Sequence, residues 1–472
     1  MTYPSTPSIP TAHTPRATTF ASPASPSTAY LDATERGIGE RMTAVVADAG
    51  DSGAGVAVKT ESFPGQSELW GRVARRVEDN RELVAHIVAD LHAHPETAFQ
   101  EYRSQAVLAD AVEAHGIPVT RGVHGVDTAL RAEVTSSGFV EGKHPTVILM
   151  AEYDALPAIG HACGHNIIAS AGVNAFLAAA AELETCGAPG RLVLLGTPAE
   201  EGHTGKEYLI RGGALDGADA ALMIHGFGYD VAEMAWVGRR SATIDFTGVP
   251  AHASAQPFMG RNALDAASLA YQAMGLLRQQ MPPSDRLHAI ITQGGDRPSV
   301  IPGSSRIELY VRSLETDTLM DLSRRIDDIV RGAALMTGCG ATITWDPHPM
   351  SLPVRNNTAL AGRWAATQAE RGRTALPAGV VPDTLAASTD FGNVSHLVPG
   401  LHPMVKVSPA DVALHTEDFA RWAASDSAVT AAADSAVGLA QVALDLLVDP
   451  ELLAAARAEF ATLGPVSVRD LE

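Results

Sequence analysis

The chain has 472 residues, 34 Lys and Arg against 54 Asp and Glu, a formal net charge of −20, and three cysteines. This length allows two or three domains with large buried cores, and the acidic balance argues against a partner of nucleic acid or anionic membrane, because phosphates would be repelled. No run approaches the roughly 18 apolar residues of a membrane span. The cysteines are too few and too scattered for a disulfide framework, so we expect a reduced, cytoplasmic protein.

The N-terminal segment is poor in apolar residues. The first 30 residues contain six prolines, many Ser, Thr and Ala, and a single charged residue, Arg16. This composition buries too little apolar surface to offset the entropy of ordering. Residues 1–50 are therefore predicted to form a disordered or poorly ordered tail.

Strands and helices alternate in the next part of the chain. Helical spacing covers residues 69–91, 167–183 and 206–215. Short, wholly apolar runs, typical of strands buried on both faces, lie at Thr146–Ala151, Arg191–Gly196 and Ala220–Ile224. This order predicts a parallel sheet with crossover helices, whose functional sites form beyond the carboxyl ends of the strands.

The pattern changes near Gly238. Strands are predicted at 241–246, 288–292, 306–311 and 341–345, with helices at 262–280 and 319–333. Strand–helix–strand–strand–helix–strand is the split arrangement of ferredoxin-like domains. The predicted fold is α/β, with a catalytic domain at 66–237 and 351–450 that has a mainly parallel central sheet and flanking helices. A ferredoxin-like α+β domain at 238–350 is inserted into it, and residues 451–472 form a C-terminal extension.

Polar residues follow three of the apolar strands directly. EYDALP and HACGHN, at 152–157 and 161–166, follow the first strand, Glu200 and Glu201 follow the second, and His225 follows the third. Carboxyl ends of neighbouring parallel strands meet at one edge, and thiol, imidazole and carboxylate together suit Zn²⁺ or a similar divalent ion. Taken alone, Cys163 would more often be a buried small residue, but its place between two histidines at a strand-to-helix turn favours a metal site.

These motifs resemble metallopeptidase family 20, the aminoacylase/carboxypeptidase metallohydrolases. The match rests on AEYDALPAIGHACGHN, GTPAEEG and the strand ending in His225, supported by HAHPETAFQE, GVPAHAS and STDFGNVS. The similar branch is the amidohydrolase one, which includes bacterial aminobenzoyl-glutamate hydrolases and plant auxin-conjugate hydrolases. The resemblance covers roughly residues 68–445 and implies that the inserted domain is a lid that forms a homodimer.

The resemblance also implies a site with two divalent metal ions per subunit, for which we expect Zn, with Mn or Co as alternatives. Cys163 occupies the bridging position, and the other implied ligands are His165, Glu201, His225 and His415. A rival for the last position is His402. Asn166 stands where this branch usually has Asp, which points to the aminobenzoyl-glutamate-like group.

Three further residues match catalytic positions of the family. Glu200 matches the general base, Asp154 the carboxylate that orients an imidazole ligand, and His252 the lid histidine that stabilises the oxyanion in the neighbouring subunit's site. The predicted activity is hydrolysis of the amide bond of an N-acyl or N-aryl amino acid or a small dipeptide by a metal-activated water. Candidates for binding the substrate carboxylate are Asn262, Arg312, Arg239 and Arg240.

Two alternatives remain open from the sequence. One is a nucleophilic hydrolase that uses Cys163 and His165, although two residues so close at a turn need not converge, and the nearby carboxylates would have no purpose. The other is a metal-binding scaffold of the same fold without catalysis, which the presence of Glu200 and His252 disfavours.

Overall fold

A mainly parallel sheet lies at the centre of the larger unit in the computed structural model, which describes residues 26–51 and 62–472. The strands of the protein are β1 (Val119–Arg121), β2 (Leu130–Thr135), β3 (Thr146–Ala151), β4 (Arg191–Gly196), β5 (Ala220–Leu222), β6 (His225–Phe227), β7 (Gly238–Thr247), β8 (Arg286–Gln293), β9 (Ser304–Ser313), β10 (Gly340–Trp345), β11 (Gly400–Leu401) and β12 (Met404–Lys406). The central sheet has the order β1-β2-β4-β3-β5-β11. Strands β4, β3, β5 and β11 are parallel, whereas β2 and β1 add an antiparallel edge. The predicted mainly parallel sheet is confirmed.

Helices cover this sheet. They are α1 (Ala29–Asp51), α2 (Gln66–Asp79), α3 (Arg81–Ala93), α4 (Tyr102–Glu113), α5 (His165–Glu182), α6 (Gly205–Arg211), α7 (Ala263–Leu277), α8 (Thr316–Thr337), α9 (Thr358–Ala369), α10 (Phe391–Ser395), α11 (Glu417–Trp422), α12 (Asp426–Val448) and α13 (Pro450–Ala461). Helix α5 packs against β3 and α12 and is buried on nearly all sides, as expected for a helix that is apolar all round. Helix α12 is long and apolar enough to cross a membrane, but 89% of its most apolar window is buried inside the protein, which is the mark of a core helix.

The inserted unit, called the lid below (residues 238–350), contains a second sheet. Its order is β10-β7-β9-β8 and all its neighbours are antiparallel. Helices α7 and α8 pack on it around a separate apolar core, which confirms the predicted ferredoxin-like arrangement. The two ends of the lid lie side by side, because Arg239 and Ser351 exchange backbone hydrogen bonds of 2.8 and 3.0 Å.

Two predictions differ from the structure in the N-terminal part. Residues 29–51 form helix α1, although the composition of 1–50 predicted poor order. The reason is an amphipathic stripe: Ile38, Met42 and Val45 pack in one apolar cluster with Trp236, and Ile38 is only 1% exposed. The helix predicted over 69–91 is divided into α2 and α3 at Asn80. The rest of the predicted tail, residues 1–25, lies outside the described residues.

Candidate metal centre

The turn between β3 and α5 brings Cys163 and His165 together. Gly164 caps the helix with φ of 81°, a left-handed conformation that costs glycine little. Helix α5 then begins at His165, so its imidazole and the Cys163 thiol both lie at the carboxyl edge of the sheet. Both side chains are buried.

Other chain segments complete the same cluster. Glu200 and Glu201 follow β4, just after Ala199, whose φ is 61°. His225 begins β6, which is held in place by parallel pairing with β12. His415 lies in a loop with φ of 60°, and its backbone N–H donates to the Ala162 carbonyl. Such strained residues tend to lie at functional sites.

The potential ligand atoms form two groups that share the Cys163 thiol. In one, Cys163 joins His165 and His225, and in the other it joins Glu201 and His415, with all ligand atoms of a group within 4.8 Å of one another. The Cys163 Sγ lies 3.2 Å from His415 Nε2 and 3.5 Å from His225 Nε2. His415 Nε2 is also 3.3 Å from Glu201 Oε1. A thiolate common to both groups is in the position of a bridging ligand.

Hydrogen bonds fix the orientation of two imidazoles. His165 Nδ1 donates to Asp154, 2.9 Å from both its Oδ1 and its backbone oxygen. His225 Nδ1 donates to the Gly226 carbonyl at 2.8 Å. Because these acceptors cannot donate, the neutral rings present unprotonated Nε2 atoms to the centre, as a metal ligand must. Asp154 Oδ2 also accepts from the backbone N–H of Glu201 at 2.8 Å, so one carboxylate positions two predicted ligands.

The adjacent glutamates have opposite electrostatic environments. Burial, Glu201 and Glu152 raise the pKa of Glu200 well above its usual value. Burial alone would raise the pKa of Glu201, but the hydrogen bond and charge of His415 outweigh it and lower that pKa. Two carboxylates with pKa values pushed apart can divide their roles, one as a permanent anion and the other as a proton carrier.

The residues present fit divalent cations. Within the described part of the chain, three buried polar atoms at the centre have no hydrogen-bond partner: His165 Nε2, Glu152 Oε2 and Glu201 Oε1. Buried polar atoms are normally satisfied, so these atoms await a ligand. Burial and Glu201 raise the pKa of the Cys163 thiol well above its usual value, and a nearby cation is what would stabilise the thiolate.

A buried lysine network supports the centre from behind. Lys206 Nζ forms an ion pair with Glu152 and lies 2.6 Å from Asp390 Oδ1, and all three side chains are at most 1% exposed. Glu152 Oε2 in turn lies 3.4 Å from His165 Nε2. The lysine therefore compensates two carboxylates that burial would otherwise disfavour.

A cavity of about 660 Å³ opens from the centre toward the lid. One wall carries Cys163, Glu200, Glu201, His225 and His415. The opposite wall is the sheet of the lid and carries Arg239, Arg286, His288, Tyr310 and Arg312. The space is adequate for a small amide with a polar group on the lid side.

The structure brings most of the predicted site residues together. Arg312 lines the cavity with Glu200 and most of the predicted ligands, and Asp154 orients the remaining ligand, His165, behind them. His402 is stacked between Phe391 and Trp236 and belongs to neither group of ligand atoms. The geometry therefore favours His415 over His402.

Three lid residues lie elsewhere in this subunit. His252 is exposed, and its Nδ1 accepts from the backbone N–H groups of Ser254 and Ala255. Asn262 does not line the cavity of the centre: its side chain caps α7 by accepting from the Leu264 and Asp265 N–H groups. Arg240 pairs with Asp346 at 2.8 Å.

The sequence did not single out Arg286, Lys206 or Asp390 for the site. A signal for Arg286 was available, because it lies two residues before His288 on a predicted strand and therefore on the same face. The Lys206 network depends on side chains 184 residues apart, Lys206 and Asp390, which no local pattern reveals.

Comparison with known proteins agrees with this geometry. Residues 237–336 match the peptidase dimerisation domain of the M20 peptidases. The chain is 36% identical over 418 residues to the mouse protein named Xaa-Arg dipeptidase, covering 86% of this chain and 96% of that protein. The chain belongs to metallopeptidase family 20. It is a metal-dependent amidohydrolase, as the motifs predicted.

Other members of the family are also similar. One of the two chains of the Escherichia coli p-aminobenzoyl-glutamate hydrolase is 32% identical over 289 residues, covering 57% of this chain and 59% of that protein. A Bacillus subtilis structure described as a dinuclear metal binding peptidase of family M20 superimposes with a TM-score of 0.58 at 19% identity, covering 79% of this chain and 99% of that one. At this identity the superposition supports the fold.

Proposed function

We propose that the protein hydrolyses the amide bond of an N-acyl or N-aryl amino acid or a small dipeptide at a centre of two divalent cations. The observation that carries this proposal is the pair of ligand groups that share Cys163, with unpartnered buried atoms between them. The ligands are Cys163, His165, Glu201, His225 and His415. When bound, the cations polarise the amide carbonyl and make a water molecule more acidic.

The chain's own residues supply the proton transfers. Glu200 lies beside the ligands, with Oε2 3.9 Å from His165 Nε2, and is the general base that accepts the proton of the attacking water. The raised pKa of Glu200 favours return of that proton to the leaving amine nitrogen. Asp154 keeps His165 in the required tautomer, and Arg312 holds the carboxylate of the substrate by charge-assisted hydrogen bonds.

The same proposal includes a homodimer formed through the lid. Strand β8 is an edge of the lid sheet, and an exposed strand edge favours pairing with another chain. Ile290 on this strand is 61% exposed and Leu276 on the neighbouring helix α7 is 64% exposed. His252, exposed and outside its own cavity, would then reach the centre of the other subunit and donate to the developing oxyanion.

A charged substitution on the edge strand tests the dimer. Ile290→Arg is expected to convert a dimer to monomers in analytical ultracentrifugation, with activity falling in parallel because His252 no longer reaches its target. Arg324→Glu, which changes a charge on the exposed side of α8, is the control. A monomeric and fully active wild-type protein would refute this part of the proposal.

Metal identity and compartment are further parts of the proposal. The thiolate and imidazole donors favour zinc, with manganese or cobalt as alternatives. The cysteine usage supports a cytoplasmic location. We keep the domain division proposed from the sequence: 66–237 and 351–450 catalytic, 238–350 lid, 451–472 extension.

Chelation and reconstitution test the function. The protein is treated with a chelator, reloaded with Zn²⁺, Mn²⁺ or Co²⁺, and assayed by mass spectrometry with a panel of acyl amino acids and dipeptides. We expect activity to disappear on chelation and to return with about two ions per chain. Activity that survives chelation would favour the Cys163 nucleophile, and absence of turnover with ions bound would favour the inactive scaffold.

A further inference from the structure

A row of arginines crosses the lid sheet opposite the metal centre. Arg239 on β7 and Arg286 on β8 both lie directly across from Arg312 on β9. All three line the cavity. Because like charges directly opposite on neighbouring strands destabilise a sheet, this row works against the stability of the lid and calls for another explanation.

None of the three guanidinium groups has a carboxylate partner among the described residues. Arg239 donates to the Thr204 hydroxyl at 3.3 Å, and Arg286 donates to the backbone carbonyl of Asp285 at 2.9 Å. Arg239 and Arg312 both lie over the Tyr310 ring, 5.3 and 5.4 Å from its centroid. These contacts orient the groups and leave their charges uncompensated.

Other arginines of the lid are paired with acids. Arg240 pairs with Asp346, and Arg306, on the same strand as Arg312, pairs with Asp245. The chain as a whole has an excess of acids, so the unpaired state of the cavity row does not follow from a shortage of carboxylates. The acids on the opposite wall belong to the metal centre or, as with Asp390, to Lys206.

We propose that the substrate carries two carboxylates, both bound by the row Arg239–Arg312–Arg286. This inference rests on the proposed hydrolysis of an N-acyl amino acid and names its substrate class. A single carboxylate is satisfied by one guanidinium fork, which leaves two cations of the row unpaired. Neighbouring strands are about 4.8 Å apart, and this spacing matches the separation of the two carboxylates of a glutamyl group.

The same row disfavours substrates with a basic side chain on the lid side. A guanidinium or ammonium group there would face cations in a partly buried space, where repulsion is weakly screened. An N-acyl-arginine is therefore expected to be a poorer substrate than an N-acyl-glutamate, even though a relative is named Xaa-Arg dipeptidase.

Matched substrate pairs test this inference on the metal-loaded enzyme. Benzoyl-glutamate is compared with benzoyl-glutamine, and succinyl-alanine with butanoyl-alanine, so that a second carboxylate is placed on the amine side or on the acyl side. We expect kcat/KM to be about tenfold to a hundredfold higher for the dicarboxylate of one pair, as for loss of one charge-assisted hydrogen bond. The pair that shows the preference identifies the half of the substrate that carries the second charge.

Variants locate the preference. Arg239→Gln and Arg286→Gln are expected to lower the ratio of kcat/KM within the preferred pair toward one, mainly through KM. Arg306→Gln removes a cation from the same strand as Arg312 but outside the cavity, and should leave this ratio unchanged. Loss of stability alone would lower both substrates of a pair together and would not move the ratio.

A binding measurement separates this inference from the proposed function. Glutarate and butanoate are titrated into the metal-loaded enzyme by calorimetry, and glutarate should bind at least about tenfold more tightly, with the advantage lost in Arg286→Gln or Arg239→Gln. This result without hydrolysis of any substrate would refute the proposed function alone. Hydrolysis with equal rates within both pairs, or with benzoyl-arginine as the best substrate, would overturn the dicarboxylate inference alone.

Discussion

Asp154 is the residue whose replacement tests the architecture of the centre most directly. Its Oδ1 accepts from His165 Nδ1 at 2.9 Å and its Oδ2 from the Glu201 N–H at 2.8 Å. In Asp154→Asn, the amide keeps one acceptor oxygen, and its NH₂ group must face a donor. One charge-assisted hydrogen bond is therefore lost, about 1.5–3 kcal/mol.

This loss should appear in metal affinity. A cost of that size corresponds to roughly tenfold to a hundredfold weaker binding, and loss of partners behind metal ligands generally costs about that much. The measurement is a competition titration with a fluorescent zinc chelator, accompanied by circular dichroism to confirm folding. Asp245→Asn, an exposed lid acid paired with Arg306, is the matched control. Unchanged affinity in a folded Asp154→Asn protein would refute the assignment of His165 and Glu201 as ligands that this carboxylate positions.

Three other substitutions give separate expectations. Glu200→Gln should lower kcat by about a hundredfold to ten-thousandfold while mass spectrometry still finds the same metal content, and near-normal kcat would contradict its role as base. Lys206→Met leaves two buried carboxylates uncompensated and should cost about 3–5 kcal/mol in urea unfolding, whereas Lys143→Met, at an exposed position, should have little effect. Burial lowers the pKa of His396 to about 4. Between pH 6.5 and 4 the unfolded chain therefore binds a proton that the folded chain does not, and stability falls as the pH is lowered. His396→Gln should reduce the loss of unfolding free energy from pH 7 to pH 5 by about 2 kcal/mol, and an equal loss in both proteins would contradict the buried neutral state.

The sequence predicts the centre of the fold well because its strands are buried on both faces. A wholly apolar run such as Thr146–Ala151 is readable without any tertiary information, and the observed strand has the same bounds. The alternating strands and helices of the lid were predicted to within a few residues, since each element has one clear apolar face. Cys163, Glu200, Glu201 and His225 follow from their places after such strands.

Elements that depend on distant partners were not predicted. Strands β11 and β12 are two and three residues long and exist because β5 and β6 lie beside them. His415 lies in a loop with no local pattern, and only the family motif indicated it. The row of Arg239, Arg286 and Arg312 depends on the register of three strands, which the sequence did not specify.

The backbone pairing of Arg239 with Ser351 has a consequence for protein engineering. The chain leaves the catalytic domain and returns to it at neighbouring points, so the lid is a cassette that can be exchanged between relatives through two adjacent junctions. A chimaera with another lid would keep all five proposed metal ligands, which lie outside residues 238–350, and would acquire a new set of cavity cations. Selectivity and catalysis are thus encoded in separable segments of this chain.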